Sequence, residues 1–312
     1  MAGRPVSVQV EGRALRLTNL DKVLYPASGF TKGDVLDYYR RVAPALLPHL
    51  ARRPVTFLRA PDGVGGARFY EKRRPRGSPP WLETVVVGGR RGTIDYPLVE
   101  SLAALMFVAN LAVLELHVPQ WKVDGSGVPQ PSDLLVVDLD PGAPATLAEC
   151  CVVALEVRDA LVADGLHPLA KLSGSKGLQL YARRPEDRRE GDPSELVRRL
   201  AERLEADRPD LVVSSMRKSL RNGRVLLDWS QNSRAKTTVA PYSLRARDEP
   251  TVSCPLRWEE VEATAGGADP ARLRCTPADA LARLERHGDL FTPLLGPRPA
   301  GAAGAAVRPG AG

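Results

Sequence analysis

The stretch Leu134-Leu-Val-Val-Asp-Leu-Asp140 constrains this chain more than any other. Its apolar run predicts a buried strand, and the run turns acidic at its C-terminal end. Side chains at positions i and i+2 of a strand point the same way, so Asp138 and Asp140 share a face. Two carboxylates side by side on an apolar strand repel each other and lose hydration unless a cation sits between them. Hard divalent ions such as Mg²⁺ or Mn²⁺ take oxygen ligands, and a paired-metal site suits in-line displacement at phosphorus. The competing reading is an exposed strand end before a turn, since Pro141-Gly142 follows.

Asp228 shifts the balance. Arg224-Val-Leu-Leu-Asp228 is a second apolar strand ending in an acid, followed by Trp-Ser-Gln-Asn-Ser-Arg-Ala-Lys-Thr-Thr, which is rich in polar donors. If the two strands are neighbours, three carboxylates surround a metal pair. Spacing alone does not say that they meet, and a solvated strand terminus is the alternative. Between two further strands, Ser173-Gly-Ser-Lys-Gly177 resembles an anion cradle, with backbone approach at the glycines and donors on Ser173 and Lys176. It is not a P-loop, because the GxxxxGK[ST] spacing is absent and a strand follows; a plain glycine-rich turn is the other reading. Arg217, Lys218, Arg221 and Arg224 surround the approach to Asp228, either for phosphate or as a solvated basic hairpin. His117 is a lone histidine near Trp121, and no Ser-His-Asp or Cys-His arrangement competes with the metal reading.

The rest of the pattern is mixed α/β (α+β). Thr31-Lys-Gly-Asp34 reads as a capping box opening a helix through His49, with Val35, Leu36, Tyr39, Val42 and Leu46 on one stripe. Residues 60–81 read as loop and carry the basic-aromatic patch Arg68-Phe-Tyr-Glu-Lys-Arg-Arg74. Glu83–Val87 and Gly92–Tyr96 read as a hairpin around Gly88-Gly89. A core helix follows Pro97, its longest apolar stretch being Leu102 to Leu114. A helix is expected from about Ala145 to Asp164, strands ending near Leu172 and spanning Leu178–Tyr181, and a helix over Pro193–Asp207. Residues 1–292 read as one domain. Residues 293–312 contain 15 Ala, Gly or Pro and read as a disordered tail.

Composition excludes several classes. At 43% hydrophobic and 26% charged, 312 residues can bury a core and are neither disordered nor collagen-like. Four cysteines without ligand spacing read as buried thiols in a reducing compartment. No signal-like apolar start is present, and Leu98–Leu116 is broken by Asn110 and flanked by Glu100 and Glu115. A membrane span is therefore not expected, and the cytoplasm (nucleoid-associated) is the expected location. The net charge of +7 favours a polyanion, but 36 of the 44 cations are Arg, a bias that a GC-rich genome also produces.

Taken together, LTNLDKVLYP (17–26), FTKGDVLDYY, FYEK, LELHVPQW, LLVVDLDPG, LSGSKGLQLY and residues 216–247 resemble one family. It is the polymerase domain of bacterial ATP-dependent DNA ligase D, in the archaeo-eukaryotic primase superfamily, and the likeness covers residues 15–295. The resemblance implies a primase-polymerase fold with central mixed or antiparallel sheets and flanking helices. It implies a template-dependent nucleotidyltransferase that fills gaps and extends ends in non-homologous end joining, favouring ribonucleotides. By the same resemblance, Asp138, Asp140 and Asp228 bind two Mn²⁺ or Mg²⁺ ions. His117, Ser173, Lys176, Gln179, Arg221, Arg245 and Arg247 contact the incoming nucleoside triphosphate. Asn19, Lys22 and Lys32 grip the 5′-phosphate of a DNA end or gap, and Phe69 and Tyr70 stack on the template. Ku and a separate ligase are the implied protein partners.

Two departures stand out. The family loop usually reads Gly-Leu-His, whereas Gly177-Leu178-Gln179 stands here, and Gln donates a hydrogen bond without carrying charge. A reduced rate or altered nucleotide preference is expected, and an unchanged rate and preference in Gln179→His would contradict it. The 312 residues also hold no nuclease or ligase sequence, so a free-standing polymerase or an excised domain is implied. The competing function is a non-catalytic or weakly active module that binds 5′-phosphorylated ends and recruits a ligase or Ku. A primase starting chains without a primer is a third.

Overall fold

In the computed structural model, residues 5–89, 92–189 and 191–296 are described. The Leu134–Pro141 strand lies inside a six-stranded sheet. The order is Val212–Val213, Val225–Asp228, Leu134–Pro141, Leu178–Arg183, Leu169–Leu172, Pro255–Leu256. All neighbours run antiparallel except the first pair, which is parallel. Leu135, Val136, Val137 and Leu139 are fully buried, as an interior strand covered on both faces requires. Leu135, Val137 and Leu139 join the main core, where helix packing covers them; Val136 joins Tyr181, Phe291 and Leu294 on the opposite face. Alternation puts Asp138 and Asp140 on the Val136 face.

Six α-helices flank the sheets among the described residues: α1 (Lys32–Leu50), α2 (Leu102–Asn110), α3 (Leu147–Ala163), α4 (Pro193–Asp207), α5 (Trp258–Ala265) and α6 (Pro277–His287). The capping box of α1 is formed: Asp34 N donates to Thr31 Oγ1 (3.2 Å) and Thr31 N donates to Asp34 Oδ2 (2.8 Å). Its stripe Val35, Leu36, Tyr39, Val42 and Leu46 is buried. Helix α3 packs on the Leu134–Pro141 and Leu178–Arg183 strands and against α5.

A second sheet of four antiparallel strands has the order Thr238–Val239, Val113–Val118, Thr56–Arg59, Phe69–Glu71. It corrects the expected core helix. The apolar stretch Leu102–Leu114 is not one element: α2 stops at Asn110, Ala112 takes φ +59°, and Val113–Val118 becomes an interior strand buried throughout. Asn110 holds the turn in place, accepting from Thr18 N (3.0 Å) and donating to Arg16 O (3.1 Å). A uniformly apolar run has no period to tell helix from doubly covered strand, so partners decide.

The tail boundary also moves. Thr292–Leu295 forms a 3₁₀ turn, with Leu294 buried beside Phe291, Val136 and Tyr181. Pro293–Gly296 therefore belongs to the folded unit, because Leu294, hidden in a Pro/Gly-rich average, finds an apolar socket. The remainder of the expected tail, 297–312, lies outside the described residues. All four cysteines are free and buried. No helix among the described residues is long and apolar enough to cross a membrane.

Candidate active site

Sheet register brings the three acids together. Asp138 pairs directly with Asp228, and Asp140, two residues on, pairs with Leu226. Directly opposed side chains in antiparallel strands have Cβ atoms about 5 Å apart on one face. Asp138 and Asp228 are buried and Asp140 half-buried. Burial first, then the charge of Asp140, pushes Asp138 up to about 7. Asp140 is likewise raised, by burial and then by Asp228, against the lowering influence of Arg221 and Arg245. Among the described residues none of the three carboxylates belongs to an ion pair. Donors hold two of them. Ser230 N and Oγ donate to Asp228 Oδ1 (2.9 and 2.6 Å), Gln231 Nε2 donates to Oδ2 (2.9 Å), and Gln179 Nε2 donates to Asp138 Oδ1 (3.0 Å).

The glycine-rich loop lies against the acidic strand. A Cβ on Gly177 would stand 2.1 Å from Leu139 O and 3.2 Å from Asp140 Oδ1, so only glycine allows this approach. Ser173 is buried, and its Oγ accepts from Ser175 N (3.3 Å) and Gly177 N (3.2 Å). Arg245 Nη1 donates to Ser173 O. Lys176 and Arg247 are exposed and line a cavity of about 510 Å³ together with Ser175, Thr251 and Arg274. Arg221 Nη2 donates to Met216 O (2.6 Å), while Arg224 turns away to Pro209 O and Leu220 O.

His117 lies on the Val113–Val118 strand rather than after a helix. Its Nε2 donates to Glu115 Oε2 (2.7 Å), and its ring meets Tyr70 edge-on at 5.5 Å. Glu115 also accepts from Ala246 N (2.8 Å) and pairs with Arg245 Nε at 3.2 Å. Burial alone would raise Glu115, but the His117 hydrogen bond, then Arg245, bring it down to about 2. Glu115 thus ties His117 and Arg245 into one unit. It was not singled out from sequence; a lone acid at an i−2 position from His117 inside an apolar strand was the available signal. Lys171, fully buried on the Leu169–Leu172 strand, was missed in the same way. Phe69 and Tyr70 project outward, 44% and 61% exposed, and Arg59 stacks on Phe69 at 5.4 Å.

Asn19, Lys22 and Lys32 form a cluster of their own at the N-terminus of α1. Asn19 takes φ +53°, Lys22 N donates to Asn19 O (3.1 Å), and Lys32 N donates to Lys22 O (2.8 Å). Lys22 Nζ pairs with Asp62 (2.8 Å) at the surface. Lys32 Nζ donates to Thr18 O (2.6 Å); burial and then Lys22 lower it to about 8. Two cations beside a helix N-terminus suit a bound phosphate.

The donor set of the acidic row fits hard divalent ions: carboxylate oxygens only, buried or half-buried, mutually repelling and unpaired with any described cation. Among the described residues no three His, Cys, Asp or Glu side chains stand ready-made as a ligand cage, in keeping with the donors that now hold Asp138 and Asp228.

Comparison with known proteins agrees with this architecture. A sequence profile of the family described as LigD, primase-polymerase domain, matches residues 31–291. The multifunctional non-homologous end joining protein LigD of Mycolicibacterium smegmatis is 46% identical over 280 residues, covering 90% of this chain and 36% of that protein. The bifunctional LigD of Bacillus subtilis is 30% identical over 251 residues, covering 80% of this chain and 40% of that protein. The chain thus spans a little over a third of the length of these relatives. The polymerase domain from Mycobacterium tuberculosis ligase D, solved in complex with DNA, superposes with a TM-score of 0.84 at 45% identity, covering 91% of this chain and 99% of that one. With the profile matching most of its length and the fold shared, this chain belongs to the LigD primase-polymerase domain family.

Proposed function

We propose that this chain is a template-dependent nucleotidyltransferase that fills gaps and extends 5′-phosphorylated DNA ends in non-homologous end joining. The observation that carries the reading is the register of Asp138 against Asp228 with Asp140 beside them. Two Mg²⁺ or Mn²⁺ ions held by these acids would supply activation of a primer 3′-hydroxyl and charge neutralisation at the triphosphate. Ser173, Lys176, Arg221, Arg245 and Arg247 supply donors for the phosphates, and Glu115 holds His117 and Arg245 in position for the nucleotide. Lys22, Lys32 and Asn19 hold the 5′-phosphate, and the exposed Phe69 and Tyr70 stack on the template strand. The relative solved with DNA supports the substrate class. Ribonucleotide preference, and partnership with Ku and a separate ligase, follow from kinship with the end-joining proteins.

Primer extension on a 5′-phosphorylated gapped duplex with Mn²⁺ and ribonucleotides tests the reading. Wild type is expected to extend, and Asp138→Ala/Asp140→Ala to lose extension while still binding the end. The second reading, an end-binding module without catalysis, draws on the phosphate cluster standing as its own unit and on Gln179. Absent extension by wild type with end binding intact would establish it instead.

A further inference from the structure

Four side chains stand in one cross-strand row. Lys171 pairs with Gln179, Gln179 with Asp138, and Asp138 with Asp228, across four neighbouring strands. Hydrogen bonds run along the row. Lys171 Nζ donates to Gln179 Oε1 (2.6 Å), and Gln179 Nε2 donates to Asp138 Oδ1 (3.0 Å). Lys171 Nζ also donates to Ser253 Oγ (2.6 Å), which itself donates to Leu172 O (2.9 Å). Nζ also lies over the ring of Tyr181 at 5.3 Å, and the Tyr181 hydroxyl stands 3.5 Å from the same Oε1.

A fully buried lysine without a carboxylate partner is costly, and burial drives its ammonium well below the usual lysine range. No described residue forms an ion pair with it. What the lysine provides is direction. A carboxamide can turn either end toward a neighbour, but Lys171 Nζ donates in both of its hydrogen bonds here and so presents hydrogen to the amide. Lys171 therefore fixes Oε1 on its own side and Nε2 on the side of Asp138. With the amide reversed, its oxygen would face a carboxylate oxygen, and Asp138 would lose its donor.

We propose that Lys171 is a positioning residue for the acidic row, setting the orientation of Gln179 so that one oxygen of Asp138 is held and the other is left for a divalent ion. The proposal rests on the reading of the row as a metal site. It also bears on the departure at position 179. A histidine there would itself donate to Asp138 and could carry charge, whereas here the donor sits on Gln179 and is oriented from one strand further away by Lys171.

Mn²⁺ binding to the full chain, followed by the EPR signal of the free ion without nucleotide turnover, tests this. Lys171→Met and Gln179→Leu are each expected to weaken Mn²⁺ about 10-fold or more. The double variant is expected to bind no more weakly than Gln179→Leu alone, because both cut the same chain. Gln179→His in the Lys171→Met background is expected to restore affinity. Thermal unfolding without metal should leave Lys171→Met as stable as wild type or more so, since an apolar side chain replaces a fully buried amine. Wild-type affinity in Lys171→Met overturns the proposal. Should that variant not fold, wild-type affinity in Gln179→Leu overturns it equally. A wild-type chain that binds no Mn²⁺ overturns the metal reading itself, a result distinct from either.

Discussion

Asp138 carries opposed demands: it belongs to an apolar strand, faces two other acids, and is raised to about 7 by burial and by Asp140. A carboxyl raised in the folded state above its unfolded value, about 3.9, stabilises the fold while protonated and ceases to do so as the pH rises. Metal-free protein is therefore expected to lose stability from about pH 4 to about pH 7. Asp138→Asn should flatten that decline in a series of melting curves, at the cost of Mn²⁺ binding. Glu115 has the opposite sign. Brought down to about 2, it stabilises the fold above the ordinary glutamate range, and this is lost as the pH falls toward 2. Glu115→Gln leaves Arg245 without its carboxylate in a buried setting, so a loss on the order of 3 kcal/mol is expected in urea unfolding. A raised KM for nucleotide should accompany it, because His117 and Arg245 lose their common anchor.

At the scale of elements, the N-terminus of α1 concentrates the second function. Its capping box fixes the first turn, and Lys32 lies at the first helical position beside Lys22. If this corner holds a DNA 5′-phosphate, Lys22→Ala should weaken end binding and reduce the slope of log affinity against log salt by about 1. Lys32 is lowered to about 8, by burial and then by Lys22, so it loses its charge as the pH passes that value. End affinity of wild type is therefore expected to fall between about pH 7 and pH 9, and Lys32→Arg to remove the fall. Fluorescence anisotropy with a 5′-phosphorylated duplex checks both, and equal losses on an unphosphorylated end would count against a phosphate site.

Across the whole molecule, legibility followed periodicity. The two acidic strand ends and the helix stripe of α1 could be read because alternation and 3.6-residue spacing are local. That Asp138 faces Asp228 could not, since register is set by pairing between segments some 90 residues apart. The strand Val113–Val118 was hidden in a uniformly apolar run, and with it the facing of Glu115 toward His117. Lys171 is hidden because a single lysine in a short apolar strand carries no local sign of what it meets; its neighbours come from strand pairing. The charge total was the least informative quantity. The cations that matter sit at fixed places around three acids, and the +7 of the chain does not locate them.

The central claim is that these acids hold divalent ions. Crystals soaked with Mn²⁺ and a non-hydrolysable nucleoside triphosphate, measured at the manganese absorption edge, test it directly. Two anomalous peaks ligated by Asp138, Asp140 and Asp228 are expected; peaks elsewhere, or none, would contradict the account.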